Sequence, residues 1–187
     1  MLDSRFVAKW KILPTGQRII RMRMAVRGFK DWEADWLESY AGTASRSSQK
    51  ILSSEVACHK GWTYITVDIE KAFLQGMSYR EMSALTGEAE RVVHFTLPPR
   101  SADLLRQIPG YETFDERHEV LRCTKPGTGT KDAPRAFSLK LRSVTHSDEC
   151  QFAPTMFDPE LEMRHDNGQL SGLLAKHVDD VKIGAED

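Results

Sequence analysis

Apolar and polar residues alternate strictly near the start of the chain. Ala8, Trp10 and Ile12 fall on one side of an extended segment, and Lys9 and Lys11 on the other. Pro14-Thr15-Gly16 signals a turn, and the return segment sets Arg21, Arg23, Ala25 and Arg27 against Met22, Met24 and Val26. A period of two on both sides of a Pro/Gly turn predicts a β-hairpin over residues 5–27. Met22, Met24 and Val26 are expected to pack inward or against the partner strand. What distinguishes the hairpin is a row of arginines along one face.

Farther along, Ser45 to His59 reads as a helix with a serine-rich start and with Leu52 and Val56 one turn apart. Trp62 to Ile69 is rich in β-branched and aromatic residues, which predicts a strand ending near Asp68. A short helix is expected from Glu70 to Leu74, stopped by Gly76, then a longer one from Ser78 to Glu90. Arg91 to Leu97 is a strand closed by Pro98-Pro99. Asp132 to His146 is a helix, with Asp132 as N-cap, Pro134 in its first turn and Phe137, Leu141 and Val144 along its buried face. Asn167-Gly168 is a strong hairpin signal, followed by a strand from Leu170 to Val178, a tight turn at Asp179-Asp180 and a return strand to Gly184. Strands and helices mix without βαβ alternation, so the expected class is α+β around an antiparallel sheet.

Composition narrows the function classes. The chain has 187 residues, 40% hydrophobic and 28% charged, ordinary for a globular protein. Neither a membrane-length apolar run nor a secretory leader is visible, so no membrane partner is expected. Three cysteines without Cys-x-x-Cys spacing argue against a disulfide framework or a zinc knuckle. They favour a reducing compartment, cytoplasmic or nuclear rather than secreted. The net charge of −1 hides an asymmetry, because residues 1–30 hold eight Lys/Arg against one acid, a net of +7 that leaves −8 for the rest. A basic lobe of this kind either meets polyanions or is simply a solvated hairpin.

The candidate chemistry lies in three carboxylates. Asp68 ends an apolar strand, and Asp179 and Asp180 sit at the tip of an apolar hairpin. Adjacent carboxylates in an apolar setting repel unless a cation lies between them, and divalent metal ions resolve that conflict. Two such ions are the apparatus of two-metal phosphoryl transfer. The alternative is that Asp179-Asp180 is merely a polar turn.

Motif order decides between these. VDIEKAFLQG (67–76), GTKDAPRAF (129–137) and HVDD (177–180) follow one another in the order reverse transcriptases use, and resemble the copia-type family's DVKTAFLNG, GLKQAPRAW and YVDD. The segments FVAKWKILPTGQ and RMRMAVRGF resemble the family's N-terminal hairpin, and ESYAGTASR (38–46) its ETFAPVAR stretch. Each match is weak alone, and the colinear set covers most of the chain, with residues 78–118 the most divergent. The resemblance implies a polymerase fingers and palm, with residues 1–30 as a basic fingers hairpin, acting in RNA- or DNA-templated DNA synthesis with two Mg²⁺ ions, a primer–template and dNTP. It implies Asp68, Asp179 and Asp180 as catalytic, metal-binding carboxylates, with the Ile69 carbonyl as a further ligand. It implies Arg23 on the incoming triphosphate, Phe73 as the aromatic that blocks a ribose 2′-hydroxyl, and Lys131 as a phosphate contact. Arg21 and Arg27 would hold template phosphate, and Gly129 and Pro134 would lie beneath the nascent base pair. For Phe73, a plain core position is the competing reading.

Three departures qualify this. His177 replaces the usual tyrosine and Asp132 the usual glutamine, and the sequence ends seven residues after Asp180. The last is expected of a fragment of a larger polyprotein, whose thumb and RNase H would be partner segments, or of a degraded copy that binds nucleic acid without turnover.

Overall fold

A computed structural model of the chain describes residues 1–186. It is mixed α and β, with two sheets in two compact units. The first unit comprises Met1–Ser39 and Met77–Ala136, the second Tyr40–Gly76 and Phe137–Asp187.

In the first unit, β1 (Leu2–Ile12) and β2 (Arg18–Val26) form the expected hairpin. Its sheet runs β2-β1-β4-β5, with β4 (Val93–Thr96) parallel to β1 and β5 (Leu121–Cys123) antiparallel to β4. Helix α2 (Tyr79–Thr86) starts with a capping box between Ser78 and Glu81, and a one-turn helix, α3, spans Ala102–Leu105. Helix α2 ends at Thr86 rather than running to Glu90, because Gly87 takes the left-handed conformation that closes a helix. The expectation for Met22 and Met24 fails: they are 59% and 40% exposed, and Val26 alone of the three is buried. The reason is topological. Strand β4 pairs with β1 at Leu2 and Asp3, so the hairpin beyond is a two-stranded ribbon.

The second unit is built on a sheet of order β3-β9-β8-β7-β6, every neighbouring pair antiparallel. Its strands are β3 (Trp62–Asp68), β6 (Ala153–Pro154), β7 (Leu161–Asp166), β8 (Gln169–His177) and β9 (Asp180–Glu186). Helix α1 (Arg46–Cys58) is capped by the Ser45 hydroxyl, which accepts from the Ser48 N–H. On one sheet face Leu52 of α1 packs with Ala44, Leu161, Leu173 and Ala175; on the other, Leu141 of α4 (Ala133–Thr145) packs with Phe152, Leu174 and Val181. Strand β8 is the central strand of the five and is buried without interruption from Ser171 to Lys176, because elements cover both faces of the sheet. Gly184 lets α1 approach, since a Cβ there would stand 2.3 Å from Val56 Cγ2.

Candidate functional site

Asp68 and Asp180 are register partners at the end of the β3–β9 ladder. Directly opposed residues share a sheet face, with Cβ atoms roughly 4.5–5.5 Å apart. The β8–β9 register puts His177 opposite Asp180, so His177, Asp180 and Asp68 form one row across three strands, all solvent-exposed. Ile69 extends the ladder by donating its N–H to the Asp179 carbonyl at 3.0 Å.

The turn lies one residue earlier than expected. It is Val178-Asp179, and Asp180 already belongs to β9. This correction decides which carboxylate faces Asp68. A one-residue shift would exchange the two faces of the strand, putting Asp180 on the wrong side. Val178 has φ +57°, a left-handed conformation that is costly for a β-branched residue. The neighbouring hairpin uses Asn167-Gly168 at φ +52° and +78°, residues suited to that region. Strain thus sits beside the carboxylates while the adjacent turn is relaxed.

The donor set suits a hard cation. Magnesium takes one or two protein carboxylates and completes its shell with water and phosphate oxygens, which Asp68 and Asp180 can supply and accommodate. Asp179 occupies the turn itself. Among the described residues no group of three or more His, Cys, Asp or Glu gathers as a metal site.

Phe73 lies in a 3-10 turn (Ala72–Gln75), its ring edge-on to Phe137 with centroids 6.5 Å apart. That contact gives Phe73 a packing role within the second unit.

The remaining predicted residues belong to the first unit. The hairpin register sets Lys9 opposite Arg21 and Val7 opposite Arg23, so Arg5, Lys9, Lys11, Arg21 and Arg23 share one face. Like charges directly opposed are unfavourable, so this face favours an anionic partner. Arg27 is already engaged, with Nη1 3.0 Å from Asp3 Oδ2. Gly129, at φ +96°, packs against the end of β2; a Cβ there would stand 2.1 Å from the Val26 carbonyl oxygen. Lys131 is exposed, and Pro134 sits in the first turn of α4. Asp132, expected as a cap, accepts from the Arg91 guanidinium through Oδ2.

Lys176, in the apolar strand before His177, is 2% exposed and places Nζ 2.6 Å from Glu162 Oε1 and 3.2 Å from Glu160 Oε2. A lysine inside an otherwise apolar run was the available signal, because a buried cation requires a counter-charge. No described helix is long and apolar enough to cross a membrane, and all three cysteines are free.

No protein-family profile matches the chain, and no solved structure does. Among curated proteins it is 26% identical over 168 residues to a retrovirus-related Pol polyprotein from transposon RE2 of Arabidopsis thaliana. The match covers 89% of this chain and 10% of that polyprotein. The similarity supports a retrotransposon origin for this protein.

Proposed function

We propose that the chain is the fingers and palm of a copia-type reverse transcriptase within a retrotransposon polyprotein, extending a DNA primer on an RNA or DNA template. The observation that carries this reading is the register pairing of Asp68 with Asp180, two carboxylates far apart in sequence and opposed on one sheet face. The colinear motifs and the similarity to a Pol polyprotein support it.

In this reading Asp68 and Asp180, with Asp179 and the Ile69 carbonyl, hold magnesium. Bound there, the ions supply charge neutralisation for the attacking and leaving oxygens. The protein's own residues orient the reactants. Arg23 and Lys131 grip triphosphate oxygens, a task suited to a guanidinium fork and an ammonium point charge. Arg21 holds template phosphate. Phe73 limits space at the ribose 2′ position, a role its packing on Phe137 would stiffen.

The second reading is a nucleic-acid-binding remnant without turnover. It is favoured by Asp179 standing in the Val178-Asp179 turn, so that the ladder opposes only Asp180 to Asp68. Primer extension on a homopolymer template, by this chain and by the chain with its flanking reading frame, separates the two. Magnesium-dependent extension that disappears in Asp68→Asn establishes the polymerase. Binding of primer–template without extension in either form establishes the remnant.

A further inference from the structure

Past its first rungs, the β1–β2 hairpin leaves one side open to solvent. Phe6, Trp10 and Ile12 of β1 share that side with Ile20, Met22 and Met24 of β2, and Ala8 lies between Phe6 and Trp10. Every one of them is exposed, Trp10 by 72%, Ile12 by 63% and Ile20 by 56%. A two-stranded ribbon is marginal without a packed face, and β4 supports β1 only at Leu2 and Asp3.

The size of the patch is informative. A whole aromatic side chain presents about 150–250 Å², and the six large residues together expose roughly 600 Å². That is the upper end of what a monomer shows, and contiguous apolar patches of this size mark interaction sites. Two such faces together come to about 1,200 Å², above the roughly 1,000 Å² that a specific interface requires.

The placement of charge selects the partner. Arg5, Lys9, Lys11, Arg21 and Arg23 all lie on the opposite side of the ribbon. On the apolar side, among the residues of these two strands, the one charge is Arg18 at the tip. A phosphate-bearing partner is drawn to the other side. An anionic lipid surface calls for cations around the apolar patch, and here they point away from it. Edge-to-edge pairing of β2 with a second β2 would bring the arginines of two chains together, which is unfavourable. Packing face to face sets apolar on apolar across the usual spacing of about 10 Å between sheets and turns both cationic sides outward.

We propose that the chain forms a twofold-symmetric dimer by packing this apolar side of the hairpin against the same side of a second copy. Ala8 leaves a depression between Phe6 and Trp10 that a methionine of the second copy can fill, a task suited to an unbranched, flexible side chain. Arg21 and Arg23 stay free on the outer sides, so the inference is independent of the polymerase reading.

Sedimentation velocity of the full chain, over a concentration series at low and high salt, tests it. A reversible monomer–dimer equilibrium that stops at the dimer is expected. High salt should strengthen it, because the contact is apolar and the repulsion between two basic ribbons is screened. Trp10→Glu and Met22→Glu should each weaken the dimer at least about tenfold, since each removes apolar burial from both copies. Both positions are exposed, so circular dichroism of the monomeric variants should match the parent chain. Lys9→Gln, on the cationic side, should not weaken the dimer. The proposal is overturned by a chain still monomeric at about 100 μM, by association lost at high salt or growing beyond the dimer, or by indifference to both glutamate substitutions. It is also overturned if the monomeric chain floats with phosphatidylserine vesicles in a manner that depends on Trp10, which would make a lipid surface the occupant.

Discussion

Asp68 and Asp180 face each other across the last rung of an antiparallel ladder, although 112 positions separate them in sequence. Two carboxylates so placed repel, and a divalent ion between them relieves the repulsion. Magnesium should therefore raise the melting temperature of the chain, by about 2.7 kcal/mol of stability at a hundredfold excess over Kd. Asp68→Asn and Asp180→Asn should each abolish this rise, and Asp179→Asn, in the turn, should diminish it less. Thermal melts with and without magnesium check the order; an unchanged rise in Asp180→Asn would remove the basis for a metal site.

The hairpin arginines should divide by their partners. Arg21 and Arg23 share the basic face, whereas Arg27 is paired with Asp3. Arg23→Ala should weaken dNTP binding much more than primer–template binding, whereas Arg21→Ala should weaken primer–template binding and reduce its salt-dependence slope by about 1. Arg27→Ala should leave that slope nearly unchanged. Fluorescence anisotropy across a salt series reads both.

Lys176 supports the central strand by neutralising buried acids. Glu162 is fully buried, with Oε1 near Lys176 and 2.9 Å from His146 Nε2, and with Oε2 lacking any partner. Lys176→Met removes the cation and leaves that charge uncompensated, which should cost about 3–5 kcal/mol. The double variant Lys176→Met/Glu162→Leu should recover much of the loss. Urea denaturation of the two variants measures the difference.

Acid should loosen the start of α1. Burial works to raise the Asp158 pKa, but hydrogen bonds from the Ser48 hydroxyl and the Ser45 and Glu160 N–H groups outweigh it and hold the carboxyl below its ordinary 3.8. A group with a depressed folded pKa contributes stability above its unfolded value and loses it as pH falls through the folded value. The contribution should thus be complete above pH 5 and disappear progressively below about pH 4. Asp158→Ala should cost about 1.5–3 kcal/mol at neutral pH, typical of charged hydrogen bonds, and flatten the acid limb of the stability curve.

Strain at Val178 should be removable. A left-handed conformation costs an L-residue about 1–2 kcal/mol, and glycine avoids this at a smaller entropic cost. Val178→Gly should accordingly stabilise the chain by up to about 1 kcal/mol. Chemical denaturation reads it directly, and a destabilised variant would show that Val178 packing outweighs the strain.

The local elements were legible because their causes are local. The β1–β2 alternation, the Ser45 cap and the Asn167-Gly168 turn depend on neighbouring residues alone, and each took the expected form. Asp68, Asp179 and Asp180 could be singled out because carboxylates interrupt apolar strands there. Tertiary structure decided what depends on partners distant in sequence. It alone showed that Asp180, through a turn set one residue earlier, is the carboxylate opposite Asp68, since register is a property of two strands together. It alone exposed Met22 and Met24, because alternation marks an apolar face without saying what covers it. It alone buried Lys176 beside Glu162, since burial and charge pairing are set by the elements that pack above a residue.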